Sequence, residues 1–244
     1  MSSHFTKHCL NPDAGIVLGS DSDVEAGGNL VCGGNVLLPP AGQPVVDLQG
    51  GTPQEWFEGL SDTGASAIAH KLATFEQLGH CRDLTCLDLF SGDGAVAAAF
   101  TAAGHSAAKF DIATDAHCDL TVRSGFMMAV SLVLRLKEGG FIMAGPPCSL
   151  WTFLSSSYHK RTLERPQGDE SNMKVQISNL IVRNLVALLQ LATRLNVYWI
   201  IEQPSSSETW IYPPMADLLQ QCGARRVHTA LRAFGHCIMQ PTIL

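Results

Sequence analysis

Residues 85–104 read TCLDLFSGDGAVAAAFTAAG, and this stretch decides the fold. Thr85 to Phe90 is a short run of apolar and β-favouring residues, which predicts a strand. Ser91-Gly92-Asp93-Gly94 is turn chemistry, since glycine tolerates positive φ and lets the backbone approach a neighbour closely. AVAAAFTAAG then predicts a helix of small residues, closed by Gly104. A strand that turns through two glycines into a helix is the opening unit of a parallel α/β sheet, with free N–H groups at the helix start.

The same alternation continues downstream. Ala107 to Phe110 predicts a second strand ending in Asp111. A helix is expected from about Ser124 to Lys137, with Phe126, Val130, Val133 and Leu134 turned inward. Gly139-Gly140 ends it, and FIMAG is the next strand. A long amphipathic helix is expected over about 172–195, then the strand Tyr198-Trp199-Ile200-Ile201. Met215 to Gln221 reads as a helix, and residues 225–243 as one or two closing strands. Strands alternating with helices predict an α/β fold with a mostly parallel sheet and helices on both faces.

Upstream the composition differs. Residues 1–52 are rich in Gly, Pro, Asp and Val and read as a loosely packed, mobile leader. Residues 53–80 predict a helical extension, with Thr52 as N-cap and Pro53 at the first helical position. Trp56, Phe57 and Leu60 make one apolar face; Ile68, Leu72, Phe75 and Leu78 make another. Residues 81–244 form the third region.

The 244 residues are 46% hydrophobic and 16% charged, which favours a packed core over disorder. The N-terminus lacks a continuous apolar segment of the secretory type, so an intracellular chain, nuclear or cytoplasmic, is expected. No apolar run approaches the roughly 18–20 residues of a membrane span, so none is expected. The eight cysteines are then mostly thiols. No CxxC pair occurs, and His4 and His8 lack the partners of a zinc set, so no metal is expected. Residues 1–122 hold 4 Lys+Arg against 15 Asp+Glu, and residues 123–244 hold 12 against 7. That leaves a basic second half able to meet a polyanion.

Ligands in open α/β sheets sit at the carboxyl ends of the strands. Asp111 follows Gly94 at a spacing that suits ribose hydroxyls. Asp119 stands near the next strand position, where an acid is able to face an adenine amine. The third glycine of a dinucleotide loop is missing, and no phosphate-binding GxxxxGK[ST] occurs. The third and fourth strands end in Gly145-Pro146-Pro147-Cys148 and in Glu202-Gln203-Pro204.

LDLFSGDGAVAAAFTAAG, GPPC and EQP, in this order, resemble the motifs of the cytosine-C5 DNA methyltransferases, over roughly residues 84–244. The resemblance implies a Rossmann-like class I methyltransferase fold and S-adenosylmethionine as cofactor. It implies that Asp88, Phe90, Ser91, Gly92, Gly94 and Pro146 surround the cofactor, with Asp111 on the ribose, Ile112 against the adenine and Asp119 on its amine. Cys148 would be the nucleophile and Glu202 its partner at the pyrimidine ring. A thiolate adding to carbon 6 makes carbon 5 enamine-like, and a carboxyl of raised pKa at N3 offsets the charge that builds there. DNA is the expected acceptor ahead of RNA.

Three departures stand out. Ser149 replaces the family's usual Gln. Gln203 replaces the usual Asn, which moves the amide by one methylene. The Gln-x-Arg-x-Arg element and the target-recognition region are not found, so the methyltransferase region reads as truncated. The segment after Cys148 is expected to be a flexible basic loop in which Lys160, Arg161 and Arg165 meet phosphates. An alternative is an inactive relative that keeps the cofactor or binds nucleic acid. Methyl transfer to a protein or small molecule is a third reading.

Overall fold

The computed structural model describes residues 82–230 and 241–243; the leader and the helical extension lie outside the described residues. Leu84–Leu89 forms β1, Ala95–Ala102 α1 and Ala107–Phe110 β2. Next come α2, Arg123–Leu134, and β3, Leu136–Ala144. After a loop containing a 3-10 turn at Phe153–Ser155 and the one-turn helix α3, Ser156–His159, the chain enters α4, Met173–Arg194. It continues through β4, Tyr198–Ile201, β5, Gln203–Pro204, a 3-10 turn at Glu208–Ile211, and α5, Pro213–Gln221. The strands β6, His228–Ala230, and β7, Pro241–Ile243, complete the described elements.

Four strands pair in the order β2-β1-β3-β4, all parallel, and helices flank the sheet. This is an α/β architecture compatible with a Rossmann-like fold. Central β1 is buried along its length apart from Thr85, as expected for a strand covered on both faces. β5, β7 and β6 form a separate antiparallel ribbon.

The core joins Leu87, Leu89 and Ile142 of the sheet to Val130 and Val133 of α2 and to Val182, Leu185 and Leu189 of α4. Each such full burial stabilises by about 1.5–3 kcal/mol. The four inward residues expected on α2 are all buried. The α4 helix is long and apolar enough to cross a membrane by composition, but 67% of that span is buried inside the fold. Asn172 caps it, accepting from the Lys174 N–H at 3.0 Å.

Two expectations are corrected. α2 stops at Leu134, three residues early, because Leu136 already pairs with Leu84. Residues 137–140 then bulge out before Phe141 pairs with Cys86; Gly139 supplies a φ of 73° and its N–H donates to the Asn196 carbonyl. Among the described residues no strand forms near Asp119. Residues 111–122 are turns, held by the Asn184 side chain donating to the Leu120 carbonyl at 2.7 Å.

Candidate functional site

β1 delivers the glycine loop. Its last turn is set by backbone geometry: Phe90, Gly92 and Gly94 all have positive φ, of 59°, 50° and 75°. For Phe90 this is a strained choice, of the kind that collects at functional loops. Asp88, 4% exposed, points back into the fold and accepts from the Ala97 N–H at 3.1 Å. It thereby satisfies an otherwise free donor at the start of α1, where a carboxylate is favoured. Burial nevertheless pushes its pKa up, against the opposing pull of the Ala97 and Val96 N–H groups. The Ser91 hydroxyl is buried and has no hydrogen-bond partner.

β2 delivers Asp111. One carboxylate oxygen accepts from the Gly92 N–H at 2.8 Å and the other from the Ala113 N–H at 2.8 Å. Asp111 therefore clasps the glycine loop itself, and each oxygen keeps a lone pair for a further donor. Ile112 is 57% exposed. Asp119 accepts from the Thr121 N–H and hydroxyl, at 2.8 and 2.6 Å.

β3 and β4 deliver the other half. Ala144 pairs with Ile201, and the Glu202 N–H donates to the Ala144 carbonyl at 2.8 Å. That register carries the two strand ends forward together, with Gly145 level with Glu202 and Cys148 three residues further on, where the Glu202 charge still acts on it. The Gly145 N–H donates to the Leu89 carbonyl at 3.2 Å, tying this loop to β1 as well. Cys148 is half-buried, and burial together with the negative charge of Glu202 raises its thiol pKa. The free protein thus holds a thiol here, where the chemistry read from the sequence calls for a thiolate near neutral pH.

The substitution of Gln203 for Asn does not cost the loop its anchor. The Gln203 amide donates to the Pro146 carbonyl at 2.6 Å, and its oxygen accepts from Ser207 at 2.9 Å and Thr209 at 3.3 Å. All four groups are buried.

The loop after Cys148 differs from its expectation. Arg161 is 3% exposed and donates to the Leu150 and Pro166 carbonyls and to the Ser178 hydroxyl, at 3.0, 2.8 and 2.8 Å. Its guanidinium lies 3.4 Å from the centre of the buried Trp151 ring. Burial lowers its pKa to about 10, which still leaves it charged at neutral pH. Expected among the phosphate ligands, Arg161 is instead the post around which the loop is wound. Lys160 pairs with Asp169 at 2.7 Å while remaining exposed, and Arg165 is exposed.

Trp151, Ser207 and Thr209 carry this scaffold without having been singled out from the sequence, and His159, expected with Tyr158 to meet a base or phosphate, is fully buried within it. A tryptophan close after the Pro-Pro-Cys turn was the available signal. A cleft of about 720 Å³ runs beside β2, lined by Lys109, Asp111, Asp115, Met127, Met128 and Arg135 among others. Of the residues expected at the cofactor, Asp111 alone lines it.

No protein-family model, curated protein or solved structure matches the chain.

Proposed function

We propose that this chain is an S-adenosylmethionine-dependent methyltransferase of the cytosine-C5 type that acts on DNA through Cys148. One observation carries the reading: Cys148 and Glu202 follow adjacent parallel strands in matched register and interact electrostatically, next to the glycine loop of β1.

The loop residues fit the cofactor. A side chain at Gly92 would meet nothing within 4 Å, so the backbone there faces open space. The orphaned Ser91 hydroxyl and the spare lone pairs of Asp111 supply polar partners for it. When bound, the cofactor supplies an electrophilic methyl group. Phe90, Ser91, Gly92 and Asp111 would hold it.

The chain's own residues do the rest. The Cys148 thiol passes its proton to the Glu202 carboxylate, and the sulfur adds to carbon 6 of the ring while the displaced π pair enriches carbon 5; after methylation, loss of the carbon 5 proton to water re-forms the double bond and expels the sulfur. Glu202, in its protonated form, donates to N3. The two states favour each other, because neutralising Glu202 removes the repulsion that holds the Cys148 proton on. Gln203 keeps the Pro146 carbonyl fixed, and with it the approach of the sulfur.

Transfer of a radioactive methyl group to cytosine-containing DNA tests the reading. Wild type should incorporate label and Cys148→Ala should not; equal incorporation would eliminate the thiol mechanism. The raised thiol pKa favours one second reading, a chain that keeps the cofactor loop but has lost turnover. It predicts calorimetric cofactor binding with no methylation of any cytosine substrate.

A further inference from the structure

A cytosine inside a duplex is stacked and paired. A protein that attacks carbon 6 either finds the base already unpaired or extrudes it. Extrusion calls for a segment that moves into the stack, and the segment following Cys148 is tied down. The Trp151 N–H donates to the Cys148 carbonyl at 2.8 Å, and the Ser155 hydroxyl donates to the Ser149 carbonyl. Arg161 binds Leu150, Pro166 and Ser178 at once, and Trp151, His159 and Arg161 are all buried.

The outside of this fixed loop is apolar and aromatic. Phe153 is 74% exposed, Leu154 94% and Tyr158 43%. Phe153 and Tyr158 follow Cys148 by five and ten residues, and aromatic faces held in water offer stacking surfaces to bases, any of which presents a π-face. Cations accompany them. Lys174 is exposed and shares a cleft of about 220 Å³ with Pro147 and Ser149, the chain neighbours of Cys148. Arg165 is exposed next to Pro166, whose carbonyl shares the Arg161 guanidinium with Leu150. The acidic neighbours are Glu202 by Cys148, Glu208 at 3.5 Å from the His159 ring, Glu164, Glu170 and Asp169, the last neutralised by Lys160.

We propose, on the premise that Cys148 attacks cytosine, that the acceptor is single-stranded DNA. The target base arrives unpaired, Phe153 and Tyr158 stack its neighbours, and Lys174 and Arg165 meet the flanking phosphates.

Fluorescence anisotropy with the full chain tests this without any turnover. The probes are one labelled cytosine-containing oligonucleotide presented as a single strand, as a duplex, as a duplex with that cytosine bulged out, and as RNA. The single DNA strand should bind tightest and the perfect duplex weakest. Phe153→Ala should weaken single-strand binding about five-fold or more through lost stacking. Lys174→Ala should reduce the salt slope by about 0.7, one phosphate contact on a single strand. Both side chains are exposed, and an unchanged circular dichroism spectrum checks that each variant is folded.

Duplex binding as tight as single-strand binding, tighter binding of RNA, or no effect of either substitution would overturn the proposal. Methylation of duplex but not of single strands would also overturn it while leaving the activity intact. Single-strand binding without methylation of any probe would overturn the activity and leave the strand preference standing.

Discussion

The Gln203 side chain donates to the Pro146 carbonyl at 2.6 Å, joining the residue after Glu202 to the residue two before Cys148. Gln203→Ala removes that donor and also the acceptor of the Ser207 and Thr209 hydroxyls, all in buried positions. Leaving buried polar groups unpaired costs about 1–3 kcal/mol each, so a loss of about 3 kcal/mol is expected in urea unfolding. Alkylation of Cys148 should speed up as the loop loosens.

The thiol itself has a defined pH behaviour. Burial and the Glu202 charge both disfavour the thiolate, so the alkylation rate of Cys148 should rise with a midpoint above that of an ordinary cysteine. Glu202→Gln removes the charge and keeps the shape. Its midpoint should fall relative to wild type, measured by rates of iodoacetamide labelling and mass spectrometry across pH. A midpoint that stays put or rises would break the link between the two residues.

Glycine positions divide by what surrounds them. Gly168 has a φ of 72°, and a side chain there would collide with the His159 carbonyl and meet the Arg161 Cγ at 2.9 Å. Gly92 has a φ of 50° but open space. Gly92→Ala should cost only the left-handed strain, about 1–2 kcal/mol. Gly168→Ala adds a collision with backbone and should cost clearly more, with the larger drop in thermal midpoint.

Asp88 gives a stability signature in acid. Its carboxyl pKa is raised in the folded state by burial, so the folded chain binds that proton more readily than the unfolded chain. The contribution is complete below the unfolded value and is lost as pH climbs through the folded one. Asp88→Asn should flatten that decline, seen in urea titrations at a series of weakly acidic pH values.

The sheet was legible because its signals are local. Each parallel strand is a short apolar run that ends at a glycine, an acid or a proline, and α4 announces itself by a helical apolar period sustained over 22 residues behind an Asn cap. The bulge at residues 137–140 was missed because two adjacent glycines read equally well as a helix stop. Cys148, Glu202 and Asp111 could be picked out by position at strand ends. What Asp111 and Arg161 hold could not. A carboxylate that clasps a glycine N–H and one that waits for a sugar have the same letter, and a basic residue in a polar loop reads as solvated unless its three acceptors are known to surround it. Those acceptors lie 11, 5 and 17 residues away, on both sides of Arg161, and no periodicity links them.

The Gln203–Pro146 bond spans 57 positions of sequence, and β4 is the last strand to join the parallel sheet. During synthesis, β1, β2 and β3 are complete before α4 begins. Cys148 therefore emerges from the ribosome while Glu202 and its anchor are still to be made, and at translation speeds of about 5–20 residues per second that gap lasts several seconds. Until Glu202 arrives, one of the two causes that hold the Cys148 proton on is missing, and the thiolate is the form that oxidants attack.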